Sequence, residues 1–283
     1  MTPLVAVAVL IAAVTHASWN AIAHGIKDQL LAFTLVGGGG AVCGLAMLPF
    51  VPAPAAGAWP YLLASAALHI VYQVLLMRSF TLGDFGQMYP IARGTAPLAV
   101  TVLAALFAHE VAGGRQLAGV AVASAGLVGL ALWGIRGAGA RPHWAAIGAA
   151  VATGLAIASY TVVDGLGVRA AHSPLGYIAW LMILEGLVIP AWAVATRRGR
   201  FRAEIRPFLA RGLFGGLLSV FAYGLVLWAQ TRAALAPVAA LRESSILVGA
   251  GIGAVFMKER FGAPRVAAAG LMVVGIGLML HAG

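Results

Sequence analysis

The sequence predicts an all-α protein that lies almost wholly within a lipid bilayer. Of its 283 residues, 62% are hydrophobic and only 9% are charged, whereas a soluble domain carries about a quarter of its residues as charges. Long runs such as LAGVAVASAGLVGLALWG are apolar on every face, and no segment alternates like a strand of a membrane barrel. Helices are then the only structure that satisfies the backbone in lipid. This composition excludes a soluble enzyme, a disulfide-stabilised secreted domain and a disordered chain.

About 20 apolar residues form a helix long enough to cross the bilayer. Dividing the chain at charges, prolines and polar loops predicts ten transmembrane helices, at residues 3–24, 31–51, 58–77, 87–108, 116–135, 143–163, 175–195, 209–228, 234–257 and 264–281. The first is read as a spanning helix and not as a cleaved signal peptide, because it has no basic region before its apolar core.

The two halves of the sequence resemble each other. A shift of 149 positions places Arg93-Gly-Thr-Ala-Pro-Leu over Arg242-Glu-Ser-Ser-Ile-Leu, and a shift of 141 places Ala17-Ser-Trp-Asn over Ala158-Ser-Tyr-Thr. This pattern predicts two five-helix repeats, at residues 1–138 and 139–283. Because five is odd, the second repeat enters the membrane from the opposite side. Inverted repeats of this kind are typical of transporters that bind their substrate near the midplane.

The basic residues predict an orientation. Thirteen Lys and Arg residues fall in odd-numbered connectors and three in even-numbered ones, with one dense cluster from Arg197 to Arg211. The positive-inside rule then places the odd connectors in the cytoplasm and both termini outside. The basic residues form no single patch, so a nucleic-acid partner is not expected. The single cysteine, Cys43, cannot form an intramolecular disulfide.

Charged residues inside the predicted helices are the candidates for function. A charge at the centre of a transmembrane helix costs ~2.5–3.5 kcal/mol on insertion scales, so it needs a partner or a role. The charged side chains at such depth are Arg93, Glu185, Arg242 and Glu243, and their polar companions are His16, Asn20, His69 and Asp164. On the first helix, His16, Trp19 and Asn20 share one face. These three could orient a polar solute or could clasp two helices together.

Two segments combine proline with arginine. In the fourth, Pro90 and Pro97 flank Arg93, and we expect this helix to be kinked or broken at depth. In the ninth, Pro237 precedes Arg242 and Glu243. Neighbouring residues on a helix point ~100° apart, so one of these two should pair with another helix.

Several side chains keep two interpretations. Glu185 could form a salt bridge with Arg93 or Arg242, whereas either Glu185 or Glu243 could instead take up a proton during transport. Asp164, four residues after Tyr160, could cap a helix end or contact substrate. Glu110 and Glu259 read as charges at membrane boundaries. The GxxxG pairs Gly40/Gly44, Gly212/Gly216 and Gly249/Gly253 read as helix-packing sites.

Enzyme signatures are absent from the sequence. No zinc-type spacing, G-x-S-x-G elbow or phosphate-binding loop occurs. Neither a metal nor a cofactor is expected, and any active transport would use a gradient.

The chain resembles the EamA family of the drug/metabolite transporter superfamily in three features. These are the number of predicted helices, the THASWN sequence near the end of the first helix, and the proline, arginine and glutamate pattern of the fourth and ninth segments. The resemblance covers essentially the whole chain. It implies an exporter of amino acids or other small metabolites with a central cavity, in the inner membrane of a bacterium. It also implies termini in the cytoplasm, opposite to the charge count. The residues it would place at the cavity are His16, Trp19, Asn20, Tyr89, Arg93, Tyr160, Glu185, Arg242 and Glu243.

Three functions are compatible with the sequence. The first is a secondary transporter, with a small molecule and the bilayer as partners, protons as a possible coupling ion, and a monomeric or homodimeric state. The second is a flippase or scramblase for a lipid-linked substrate, which needs a deep basic patch. The third is a non-transporting membrane protein, whose buried charges should all be paired.

Overall fold

The computed structural model describes residues 1–24, 26, 28–83, 85–137, 143–248 and 263–280, and the regular structure in these ranges is helical. The first half contains the helices α1 (Pro3–His24), α2 (Gln29–Met47), α3 (Trp59–Leu82), α4 (Phe85–Phe107) and α5 (Gly114–Gly137). The second half contains α6 (Trp144–Ala170), α7 (Pro174–Gly186), α8 (Val188–Arg197), the short α9 (Phe201–Ile205), α10 (Leu209–Gln230), α11 (Leu235–Arg242) and α12 (Ala263–Leu280).

Most of these helices are long and apolar enough to cross a membrane. In the described ranges there are seven such stretches, the last being a 57-residue helical stretch, Pro174–Gln230, that contains α7 to α10, and Val266–Leu280 is a shorter apolar helix. The seventh predicted segment corresponds to α7 and α8, which are separated at Leu187. The ninth is described only as far as Val248. Glu259 and the Gly249/Gly253 pair lie outside the described residues.

Local sequence sets several helix starts. The side chain of Asp28 accepts a hydrogen bond from the Leu31 amide at 3.0 Å and caps α2. Ser173 caps α7 through the Gly176 amide at 3.1 Å, with Pro174 in the first turn where its missing N–H costs nothing. At the other end of this region, Arg198 has φ 45° and ends α8.

The fourth segment, expected to be kinked or broken, is not broken, and the interruption of a helix lies instead in the ninth segment. Helix α4 continues through both Pro90 and Pro97, as membrane helices tolerate proline when neighbouring groups satisfy the freed backbone. By contrast, α11 ends at Arg242. The amides of Glu243 and Ser244 bond to carbonyls only three residues back, and helical turns resume from 245 to 248. Two deep charges therefore lie at an interruption of the helix.

Unlike a soluble protein, this protein exposes apolar side chains at its surface and buries polar and charged side chains inside. Large apolar side chains are exposed along the helices, as at Leu4, Ile11, Val102 and Phe221. Buried polar and charged side chains lie among the helices, and those of the described ranges include Ser65, His69, Arg93, Asp164, Glu185, Gln230, Arg242 and Glu243. A lipid environment favours this distribution, because apolar surface is stable there and a charge is not.

Close helix contacts depend on glycine. Helix α2 packs against α7 and α10, and a Cβ added at Gly39 would lie 2.6 Å from the carbonyl oxygen of Gly212. A Cβ added at Gly44 would lie 2.6 Å from the carbonyl oxygen of Ala179. The interpretation of Gly40/Gly44 and Gly212/Gly216 as packing sites is therefore confirmed for the α2 contacts.

We expect Gly39→Ala to destabilise the protein by about 1–3 kcal/mol, because the added methyl group would overpack the α2–α10 contact. Gly129→Ala on α5 is the matched control, since nothing lies within 4 Å of its added Cβ. There the better helix propensity of alanine should stabilise by up to about 1 kcal/mol. Unfolding midpoints in detergent measure both effects. Equal midpoints would show that the α2–α10 spacing has no such constraint.

Candidate functional site

Two arginines and one glutamate form a buried charged cluster between α4 and the end of α11. The Nε atom of Arg93 lies 2.7 Å from Oε2 of Glu243, and an Arg93 terminal nitrogen donates to the Ser245 hydroxyl at 3.0 Å. The Nε atom of Arg242 lies 3.9 Å from the other carboxylate oxygen of Glu243. All three charged residues are at most 4% exposed. The expectation that one member of the Arg242–Glu243 pair seeks another helix is confirmed, with Arg93 as the partner.

The charges in this cluster do not balance. Glu243 is shared by two guanidinium groups, and the closer contact goes to Arg93. The Nε atom and one terminal nitrogen of Arg242 are buried with no hydrogen-bond partner in the described part of the chain. Because a guanidinium is charged at any physiological pH, the cluster retains about one positive charge. An anionic group of a ligand could satisfy it.

The face of α1 predicted to hold a solute lies beside this cluster. His16, Trp19 and Asn20 are half-buried, and His16 is close enough to Arg93 and Arg242 for their charges to act on it. The His16 and Trp19 rings meet edge to face at 5.0 Å, and the indole Nε1 of Trp19 is buried with no hydrogen-bond partner among the residues that the structure describes. The amide of Asn20 donates to the His16 carbonyl at 3.1 Å. This face is thus close to the arginines and holds a free donor.

Aromatic rings surround the arginines. The Cζ atom of Arg93 lies 5.7 Å from the centre of the Tyr89 ring, within the range of a cation–π contact. Tyr160 on α6 lies edge-on to Tyr72 at 5.5 Å and is close enough to Arg242 to interact with its charge. The rings exclude water from the guanidinium groups and strengthen their interactions.

A second polar cluster lies among α3, α6, α7 and α10. Asp164 accepts hydrogen bonds from Tyr177, at 2.9 Å, and from Tyr223. The Nδ1 atom of His69 lies 3.6 Å from Oε2 of Glu185 and 3.1 Å from the Ser65 hydroxyl. Asp164 is completely buried and Glu185 is 9% exposed. We call His69, Asp164 and Glu185 the acidic cluster.

Two expectations about this region are wrong. Glu185 does not pair with Arg93 or Arg242, because α7 places it against His69 of α3. Asp164 does not cap a helix, since α6 continues to Ala170 and its carboxylate bonds to two tyrosines on other helices. Both errors arise because sequence spacing describes neighbours along one helix, whereas these partners come from different helices.

Tyr160 connects the two clusters. Its ring stacks on His69 with centroids 3.9 Å apart, and it lies 6.3 Å from the Tyr223 ring. The charge of Arg242 acts on both His69 and Asp164. The charged cluster of Arg93, Arg242 and Glu243, which we call the cationic cluster, therefore lies in the same polar interior as the acidic cluster, with aromatic rings between the two.

Sequence reasoning missed part of this site. Ser65 and Tyr72 escaped notice, although with His69 they occupy positions i, i+4 and i+7 of one face of α3. Tyr177 and Tyr223 were missed as well. A polar stripe on an otherwise apolar helix was the available signal for α3, whereas nothing in the spacing of single tyrosines marks α7 or α10.

Ion pairs join helix ends at two places. At the first, the guanidinium of Arg169 lies 2.7 Å from Glu110 and donates to the Gln230 and Ala233 carbonyls, and Glu110 accepts from the Leu235 amide at 2.7 Å. We call this the α6–α11 latch. Glu110 is thus a boundary charge, as predicted, with specific partners. Elsewhere, Arg197 pairs with Asp28 at 2.5 Å and with Glu204 at 2.6 Å.

The described residues contain no group of three His, Cys, Asp or Glu side chains that could hold a metal ion.

We expect Glu243→Gln to destabilise the protein by about 3–5 kcal/mol, because it leaves two buried guanidinium groups without their shared counter-ion. Glu204→Gln is the control, since it breaks a partly exposed ion pair with Arg197 worth at most about 1 kcal/mol. Thermal unfolding in detergent measures the difference. A Glu243→Gln protein as stable as the control would contradict the proposed role of this carboxylate.

Comparison with known proteins supports the fold described above. A solved crystal structure of a protein has the same fold with a TM-score of 0.70, over 97% of this chain and 94% of its own, at 16% identity. No curated protein matches the sequence. Residues 144–281 match the EamA-like transporter family, which confirms the resemblance for the second half of the chain. The chain therefore contains, at residues 144–281, an EamA-like transporter family domain of the drug/metabolite transporter superfamily, a family of membrane transporters and not of enzymes.

Proposed function

We propose that the protein is a secondary transporter that exports a small polar metabolite with a carboxylate, such as an amino acid, across the inner membrane of a bacterium. The observation that carries this proposal is the buried guanidinium of Arg242, at a break in a helix, with two nitrogens that have no hydrogen-bond partner in the described ranges. A carboxylate accepts two parallel hydrogen bonds from a guanidinium. Such a ligand would remove the excess positive charge of the cluster.

Other parts of the site suit a small amphipathic solute. His16 lies within reach of the charges of both arginines, and the buried Trp19 Nε1 offers a further donor. The Trp19 indole and the rings of Tyr72, Tyr89 and Tyr160 supply apolar surface. Asn20 supplies an amide. We infer that His16, Trp19, Asn20, Tyr89, Arg93, Tyr160, Arg242 and Glu243 bind or position the substrate, and that Glu185 acts from the neighbouring acidic cluster.

We also infer the architecture of two inverted five-helix repeats, residues 1–138 and 139–283. Helix α1 packs on α10 as α6 packs on α3, and α4 packs on α6 as α11 packs on α1. Replacing each helix by its counterpart in the other half, α1 by α6, α3 by α10 and α4 by α11, converts one packed pair into the other. Reciprocal packing of this kind is expected when a two-fold axis relates the halves.

Individual contacts support the same relation. A Cβ added at Gly119 would lie 2.6 Å from the Gly275 carbonyl oxygen, and one at Gly126 would lie 3.0 Å from that of Ala268. Residues 119 and 126 correspond to 268 and 275 at the 149-residue shift. The repeat therefore converts the Gly119–Gly275 contact into the Gly126–Ala268 contact, and both contacts join α5 to α12.

Ion pairs at the helix ends support alternating access. In the inferred topology, the α6–α11 latch joins even-numbered connectors, whereas the Arg197–Asp28 pair joins two odd-numbered connectors on the other side. Partly exposed ion pairs are weak enough to break and re-form. They could close each end of the pathway in turn. With the positive-inside rule, the latch faces outward.

The two other functions receive less support. A flippase needs a deep basic patch for a phosphate headgroup, but Arg93 is already engaged by Glu243 and Ser245. A non-transporting protein should have all its buried charges paired, and the nitrogens of Arg242 lack hydrogen-bond partners in the described ranges. A fluorescent-lipid assay in liposomes would identify scrambling directly.

We expect Arg242→Gln to weaken exchange of radiolabelled L-amino acids in proteoliposomes by about 10- to 150-fold. This range corresponds to the loss of a charged hydrogen bond worth about 1.5–3 kcal/mol. Arg232→Gln is the control, because Arg232 is exposed and stacks on Trp228 at 4.2 Å outside the cluster. It should transport like the unmodified protein.

Folding of both variants is checked by their unfolding midpoints. Unmodified protein that exchanged no amino acid, or an Arg242→Gln variant as active as the control, would overturn the proposal.

A further inference from the structure

We propose that the acidic cluster of His69, Asp164 and Glu185 is a proton-binding site, with the proton carried by Glu185. The site lies outside the cationic cluster, on α3, α6 and α7. The presence of the proton follows from geometry and charge alone, whereas its role as a coupling ion rests on the proposed transport function.

The first argument is that two buried acids interact electrostatically and have no cation in contact with either in the described ranges. Asp164 and Glu185 are near enough to interact electrostatically, and both are at least nine-tenths buried. In the described chain, neither contacts an arginine or a lysine directly. Two ionised carboxylates in this environment would repel each other at a high energetic cost. One proton between them removes most of that cost.

The hydrogen bonds indicate which acid holds the proton. Asp164 accepts from Tyr177 and Tyr223, with Ser65 also within reach. Donors of this kind stabilise the ionised form of a carboxyl group. In contrast, Oε2 of Glu185 has no hydrogen-bond partner among the described residues, and Nδ1 of His69 lies 3.6 Å from it. The proton is therefore more stable on Glu185.

The groups facing Glu185 leave it without a competing cation. From α3 it faces His69, and from α6 it interacts with Asp164. Helix α10 presents Tyr223, which bonds to Asp164. The only titratable side chain within α2 is Cys43, and that within α8 is Arg197, paired with Asp28 and Glu204 at the helix end.

Charge balance in the interior gives the same result. The buried side chains of the described ranges that ionise as acids or guanidinium groups are Arg93, Arg242, Asp164, Glu185 and Glu243. With His69 neutral, two positive and three negative charges leave an excess of one negative charge. A single proton on Glu185 makes the buried set neutral, as a low-dielectric core favours.

We expect the proton site at Glu185 to be coupled electrostatically to the site at Arg242, where an anionic solute would bind. The charge of Arg242 acts on His69 and Asp164 through the Tyr160 region. A carboxylate bound to Arg242 would offset that charge and make protonation of the acidic cluster more favourable. By reciprocity, a proton on the cluster would favour anion binding. The two ligands would then move together, in the direction set by the sum of their gradients.

The first test needs no substrate. In infrared spectra of the reconstituted protein at neutral pH, we expect the C=O stretch of a protonated carboxyl group, sensitive to exchange into D₂O. Glu185→Gln should abolish this band, because Asp164 alone stays ionised by its tyrosine donors. Glu204→Gln, which removes a partly exposed carboxyl, should retain it. Absence of the band from the unmodified protein, or its persistence in Glu185→Gln, would overturn the proposal.

The second test concerns coupling. Proteoliposomes with a pH-sensitive dye inside should show proton movement when L-amino acids are added to the unmodified protein or to Glu204→Gln. In Glu185→Gln, the proton signal divided by the rate of labelled amino-acid exchange should fall at least tenfold. An equal ratio in all three proteins would refute coupling through Glu185. If no protein exchanges amino acids, the proposed function fails, whereas the infrared band still decides the proton site.

Discussion

Glu243 lies between Arg93 and Arg242 in a part of the bundle where a bare charge is unfavourable, and the arrangement of the surrounding helices follows from that contact. The carboxylate joins α4 to the end of α11, 2.7 Å from one guanidinium and 3.9 Å from the other. One acid cannot neutralise two guanidinium groups. The aromatic side chains of α3, α4 and α6 and the polar face of α1 gather around this excess charge. Lipid-facing residues have no comparable constraint, and they are simply apolar.

The same constraint explains the second cluster. Acids could have been placed beside the free guanidinium of Arg242, and the interior would then have been a closed set of salt bridges. Instead, Asp164 and Glu185 lie with His69 on the other side of Tyr160. This separation leaves a cationic region and an acidic region that interact through their fields without cancelling each other. Under the proposed function, a solute or a proton would change the balance of charge between these regions, whereas a fully paired core would leave no such excess.

The sequence predicts the all-helical membrane fold well, because the length and polarity of a segment are enough to identify a spanning helix. The rarity of charge in lipid also selects Arg93, Glu185, Arg242 and Glu243, all of which are buried. Partners are harder to predict. Glu185 meets His69 and Asp164 meets two tyrosines through the relative rotation of whole helices, which spacing along one helix does not encode. The break also falls at Arg242 and not in α4, because proline removes one hydrogen bond but does not by itself end a membrane helix.

Helix α11 has only eight residues, so it is about 12 Å long. Its first residue, Leu235, donates its amide to Glu110 of the α6–α11 latch, and its last is Arg242. Two turns of helix are too short to bend, so the segment behaves as a rigid rod with the latch at one end and the free guanidinium at the other. A displacement of the latch along the axis of α11 would therefore move Arg242 with it. Under the proposed function, substitutions at Glu110 or Arg169 would alter solute affinity although neither residue belongs to the buried charged cluster.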